Sequence, residues 1–266
     1  MAHPLTPRRW ALFGALLGLL GALVVFAPAS WLARALASAS EGHVLLVDTR
    51  GSVWSGSGVL VLTGGAGSRD AAALPGRLHW RMTPGLRSLQ LAARQDCCIN
   101  GELRLRIEPG LGRLAIAVDN QAEWLARLPA DLLAGLGTPW NTLQLGGSLR
   151  LSSHDLRLES AQGRWQQTGE LQLDLLNLSS RVSPVAPLGN YRLTLSADAA
   201  SPGASLLQLA TLDGALLLSG TGTLNPGGKS RFVGEASAAP GREDALNNLL
   251  NIIGRRQGAR SVLTIG

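Results

Sequence analysis

The sequence predicts a mainly β protein: an N-terminal transmembrane helix followed by a large, mostly antiparallel, curved β-sheet domain with two short covering helices. Three observations carry this. From Val44 onward apolar residues recur with a period of two, as in "ELRLRI", where Leu103, Leu105 and Ile107 share one face and Arg104 and Arg106 the other. Strands of that kind pack one side and wet the other, the mark of antiparallel sheet, whereas parallel sheet between helix layers reads as unbroken apolar runs. Gly-, Pro- and Asn-rich turns punctuate the strands, and one uncharged run near the start is long enough to span a bilayer.

That run is "WALFGALLGLLGALVVFA", Trp10 to Ala27, eighteen residues without a charge. As a helix it extends about 27 Å. Arg8 and Arg9 precede it and hold residues 1–9 on the cytoplasmic side, Trp10 and Trp31 suit the two interfaces, and Pro28 closes the helix. The expected organisation is a cytoplasmic N-terminus 1–9, a transmembrane helix 10–27, a juxtamembrane linker 28–42 and an exported β-rich domain 43–266. A cleaved signal peptide is the rival, with "ALASAS" at 35–40 as its small-residue site. The apolar run exceeds the usual signal core, and Arg34 lies between it and that site. Both readings export the chain.

Within the exported part, "DTRGSVWSGSGVLVL", Asp48 to Leu62, fits a hairpin whose glycines permit a tight reversal or a bulge. Asn100-Gly101 in "CCINGELRL" is the signal for a two-residue type I′ hairpin. Further turns are marked by "EPGLGRL", "LGGS", "SPGA" and "NPGGK". Two segments break the strand rule. Asn120 to Gly137 reads as a helix interrupted at Pro129, and Leu246, Leu249, Leu250 and Ile253 fall at helical spacing with Gly254 as a stop. "SVLTI" reads as a last short strand. Gly51, Trp54 and Gly58 are echoed by Gly163, Trp165 and Gly169, which suggests duplicated halves, 43–118 and 138–266, joined by a helical link 120–136.

Chemistry is sparse. Lys plus Arg exceed Asp plus Glu by six, with Lys229 the single lysine, and no basic run is interleaved with aromatics as nucleic-acid binding requires. Hydrophobic residues make up 45%, too many for a disordered chain. His3, His43, His79 and His154 stand alone, and no nucleophile or metal motif is present, so no catalytic, metal or cofactor residue is expected and the protein is not read as an enzyme. Cys97 and Cys98 are adjacent, a candidate redox-sensitive pair; two thiols, a strained vicinal bridge and an intermolecular bond all remain open. Arg104, Arg106, Arg150, Arg157 and Arg192 alternate with apolar residues and line the wet face, which either keeps the sheet soluble or meets lipid phosphates or an acidic partner. Candidate docking residues are Trp54, Trp165, Arg104 and Arg106.

The order of landmarks resembles one family, the type II secretion system protein N, also called general secretion pathway protein N. The resemblance lies in "PASWLARAL", "DTRGSVWSGSGVL", "LPGRLHWR", "SPVAPLGNYRLTL", "LDGALLLSGTGTLNPGGKSRFVGEASA" and "ALNNLLNIIGRRQGARSVLTIG", the last two being the most specific. It implies a single-pass protein of the cell inner membrane of Gram-negative bacteria, with 43–266 as a periplasmic β-rich domain, that serves the export of folded proteins across the outer membrane by docking to inner-membrane platform subunits, with the secretin as a further candidate partner. No catalytic residue is attached to the family, and the adjacent cysteines are not part of its pattern. The alternative is a periplasmic lipid-handling protein whose one-faced sheet cradles acyl chains.

Overall fold

Every strand among the described residues joins one antiparallel sheet of sixteen strands, as the period-two pattern requires. The computed structural model describes residues 7–199, 201, 203–225 and 230–265, with side chains from Trp10 to Thr264 of that set. His3, residues 1–6 and the turn expected at 226–229 lie outside it. In chain order the strands are β1 (Val44–Gly51), β2 (Ser55–Thr63), β3 (Ala71–Ala73), β4 (Leu78–Pro84), β5 (Leu89–Arg94), β6 (Leu103–Gly110), β7 (Arg113–Val118), β8 (Ala126–Pro129) and β9 (Leu145–Ala161). They continue with β10 (Arg164–Ser180), β11 (Gly189–Ala197), β12 (Ser205–Gly214), β13 (Leu216–Leu224), β14 (Arg231–Ala238), β15 (Arg255–Gln257) and β16 (Arg260–Ile265). Neighbours in sequence are almost always neighbours in the sheet. The exceptions are β3, which pairs with β2, β8, which pairs with β9, and β15, which lies outside β16.

The sheet does not break at the expected link. β7 pairs directly with β9, from Arg113↔Ala161 to Ala117↔Arg157, so the two proposed halves form one continuous surface. β9 and β10 are the longest strands, 17 residues each, and two register shifts, at Thr168/Glu170 and Leu176/Ser179, bend that hairpin. At the first, Gly169 adopts φ +75° and lies so close to the Asp155 carbonyl that a Cβ would collide with it, so the position requires glycine.

Among the described residues four helices accompany the sheet: α1 (Pro7–Val25), α2 (Ala29–Ala39), α3 (Trp140–Leu143) and α4 (Glu243–Ile253), with a 3-10 segment at Ala130–Leu136. Among the described residues no helix is long and apolar enough to cross a membrane. α1 ends at Val25, two residues short of the Ala27 expected for a span, and its apolar side chains from Trp10 on are exposed on all sides. Residues 28–42, expected as linker, hold α2 instead. Pro28 sits at its N-cap, and Leu32, Ala33 and Leu36 pack on Leu46 and Trp80, so that a segment that looks like plain connection covers the start of the sheet.

The helix expected over Asn120–Gly137 is absent. Backbone pairing wins over helical spacing there: Ala126–Pro129 bonds to β9 as β8, and Leu132 of the 3-10 segment fills a small core with Leu74 and Cys98. The second expected helix is present as α4, with Leu246, Leu249 and Leu250 buried in the main core beside Tyr191, Leu216 and Ala236. The two covering helices are therefore α2 and α4.

The Asn100-Gly101 hairpin also differs from expectation. β5 and β6 are joined by residues 95–102, and only Gly101 of the pair has positive φ, +65°. The Gln95 side chain organises this longer turn by accepting from the Cys98 N–H at 2.8 Å, while the Asn100 amide donates to the Trp124 carbonyl at 3.1 Å. Those tertiary bonds outweigh the local turn preference.

Candidate functional site

The wet face of the sheet carries its charged chemistry, and register decides which charges meet. Asp174 on β10 lies opposite Arg150 on β9 and opposite Arg192 on β11. Its side chain is 0% exposed. It accepts from Arg150 Nη2 at 2.7 Å and from Arg192 Nε and Nη2 at 2.8 and 3.1 Å, with Gln172 donating at 3.2 Å. Burial pushes the carboxyl up, but the hydrogen bonds from Arg192 and Arg150 outweigh it and hold the group below the ordinary carboxylate value. The same bond raises the Arg192 guanidinium. Two of the five arginines read as a free basic face are thus paired to one acid, which offsets one of their two charges.

A second bridge spans three strands. Glu108 on β6 and Arg157 on β9 bond at 2.8 Å across β7, where the facing residues are Ala115 and Ala117. Only a side chain as short as alanine leaves room for that bond to pass over the strand, and Ala115 is 2% exposed beneath it. Arg104 bonds Glu102 at 2.8 Å, and Arg94 joins from the neighbouring strand. Arg104 first and Arg94 second lower the Glu102 carboxyl. Arg106 has no acceptor among the described residues. It faces an open groove of about 700 Å³ with Arg87, Gln90, Glu108 and Arg113.

Trp54 and Trp165, expected as docking aromatics, sit at different hairpins. Trp54 occupies the β1–β2 turn, half-buried, and its Nε1 donates to the Val24 carbonyl at the end of α1, 2.7 Å away. The glycines around it make room for a different ring. Trp80 on β4 pairs with Gly56, where a Cβ would stand 2.5 Å from the Trp80 ring, and its Nε1 donates to Val53 at 3.0 Å. Trp165 is the second residue of β10, opposite Ser160 of β9, and is 36% exposed. Both tryptophans lie at the same end of the sheet, six strand spacings apart, about 29 Å. They do not form a single site with Arg104 and Arg106, which project from β6 between them.

Cys97 and Cys98 are joined as a vicinal disulfide, with Cα atoms 3.7 Å apart. Cys98 is buried against Leu74 and Leu132, and Cys97 faces solvent. His43 precedes β1 and shares a hydrogen bond with the Ser40 carbonyl, whereas His79 lies on β4 and His154 on β9, four strand spacings or about 19 Å across the sheet. No group of metal-binding side chains occurs among the described residues. Sequence reasoning missed Asp174, Glu108 and the groove. The wet-face parity of Asp174 in "ELQLDL" is visible, but its partners are 18 and 24 positions away and meet it only through register.

The family model described as type II secretion system (T2SS), protein N matches residues 42–263. No curated protein and no solved structure matches the chain.

Proposed function

The chain belongs to the family of type II secretion system protein N, an accessory component of type II secretion, and from that premise we propose that it is a tethered docking subunit of the apparatus. α1 holds it in the inner membrane with the sheet in the periplasm, and its hairpin ends and edges engage platform subunits, with the secretin as a further partner. The family match carries this reading, since it runs from just before β1 into β16. Two features support the tether. The uncharged run Trp10–Ala27 follows Arg8 and Arg9, and the described apolar side chains of α1 pack on nothing, an arrangement that water disfavours and acyl chains favour. Docking without chemistry suits a molecule in which the buried acid, Asp174, is held by two arginines, and whose sheet brings no metal-binding cluster together among the described residues. The edges suit selective rather than general pairing: β1 carries a register shift at Val47/Arg50, and β15 is three residues long.

Photo-crosslinking in living cells from positions 54, 165 and 104 tests this. Capture of platform subunits or secretin supports docking, and capture of neither from any of the three positions overturns it. A second reading, lipid handling, is favoured by one observation. Leu105, Ile107, Ile116, Leu195 and Leu207 on the apolar side are half-buried and belong to none of the three cores beneath α2, α4 and the 3-10 segment. Capture of phospholipid alone from those positions selects that reading.

A further inference from the structure

Strands β1, β4, β6 and β9 run in the same direction, because each neighbouring pair is antiparallel, so the turns that follow them leave the sheet at the same end. The first of these turns is the one α1 leads into. Trp54 bonds Val24, Val53 N–H donates to the Ala27 carbonyl at 2.9 Å, and Pro28 bridges to Ser52. The next two turns carry Leu86 and Leu111, whose exposures of 106% and 107% mean that they touch nothing of their own chain. The fourth leads into Trp165. An arginine follows or precedes each of these apolar side chains closely: Arg87, Arg113 and Arg164.

Between the Leu86 and Leu111 turns lies the groove of about 700 Å³. Of its charged lining, Glu108 is held by Arg157 and Arg113 is held by Glu159 at 2.8 Å. Arg87 and Arg106 keep their donors free among the described residues. A groove with two unneutralised guanidiniums, flanked by two leucines projecting past it, has the chemistry of the bilayer interface: phosphate at the arginines, glycerol and upper acyl carbons at the leucines. An acidic protein partner would satisfy the arginines but would leave two fully projecting leucines without a reason, and both leucines project from the same end of the sheet as the turn that α1 leads into.

Resting on the tether reading, we propose that this end of the sheet lies on the membrane, with the groove between Leu86 and Leu111 binding anionic phospholipid headgroups through Arg87 and Arg106. Contact at several turns fixes the tilt of the sheet relative to the bilayer, which a single helix on a hinge does not. The site is a docking surface with no turnover.

The test uses the full chain in vesicles of phosphatidylcholine with phosphatidylglycerol, with a benzophenone amino acid in place of Leu86, Leu111, Leu16 or Asp96. Asp96 lies in the β5–β6 turn at the opposite end of the sheet. Phospholipid adducts at 86 and 111 about tenfold above those at 96, falling about tenfold in the Arg87→Gln/Arg106→Gln variant, support the inference. Adduct at 16 with none above background at 86 and 111 overturns it and leaves the tether standing. Absence of adduct at 16 overturns the tether itself. Adducts at 86 and 111 unchanged by the arginine substitutions overturn the headgroup site.

Discussion

The indole Nε1 of Trp54 donates to the backbone carbonyl of Val24, 2.7 Å away and thirty positions earlier. That carbonyl belongs to the last turn of α1, where acceptors lack intrahelical partners, so the first turn of the sheet caps the helix. The coupling extends one strand further, because Met82 N–H donates to the Trp54 carbonyl at 2.7 Å. Trp54→Phe keeps an aromatic ring, a smaller one, and removes the donor. It is expected to leave the sheet's melting transition within about 2 °C while raising the rate of limited proteolysis at 26–28 about fivefold, the equivalent of one lost hydrogen bond. An unchanged cleavage rate would show that the bond does not restrain the junction.

Asp174→Ala removes the shared acceptor of Arg150 and Arg192. Each guanidinium is more than a third exposed and can turn to water, so the cost is smaller than for a sealed pair, about 1–3 kcal/mol. Chemical denaturation measures it. Asp174→Asn should recover part of the loss by keeping one acceptor oxygen, and equal losses in the two variants would contradict the ion-pair account.

Acid should act through the same residue. The folded carboxyl titrates below its ordinary value of 3.8, so the unfolded chain binds the proton first. The stabilisation is complete above about pH 5 and is lost as pH falls through 3.8 toward the folded value. A denaturation series across that range should show a steeper acid limb in the parent than in Asp174→Asn. Superimposable limbs would remove Asp174 as the cause.

At the alkaline end the sign is reversed and set by Tyr191. Its hydroxyl is buried and donates to the Leu216 carbonyl at 2.9 Å, and burial, with a lesser contribution from Asp213, raises its pKa well above 10. Unfolded tyrosine ionises first as pH rises past about 10, so stability should fall there. Tyr191→Phe should lose about 1–3 kcal/mol at neutral pH through the unpaired carbonyl and flatten that alkaline decline. A decline of equal slope in both proteins would assign it elsewhere.

Gly220→Ala tests a packing relation. A Cβ there would stand 2.5 Å from the Phe232 ring and 2.9 Å from the Gly234 backbone, in a strand pair where Phe232 lies across three glycines. Overpacking should cost about 1–3 kcal/mol, and Gly220→Ala/Phe232→Leu should regain part of it. Thermal denaturation of both variants reads the outcome.

Local signals were enough for much of this molecule. The alternation of Leu103, Leu105 and Ile107 with Arg104 and Arg106 gave the strand and its two faces, and the spacing of Leu246, Leu249 and Leu250 gave α4, because side-chain direction in a strand or helix follows from backbone period alone. The ordered blocks running to the last strand carried the family in the same way. What depended on register was invisible. Arg150 and Arg192 read as free cations until the sheet set both against Asp174, and the glycines beside Trp54 turned out to admit Trp80 from the next strand. Asn120 to Gly137 has helical spacing, yet it became β8 and a 3-10 turn, since the unpaired edge of β9 offered backbone bonds that a short isolated helix could not match. Period is a property of one segment and can be read from it; partnership between segments is settled only when the chain closes on itself.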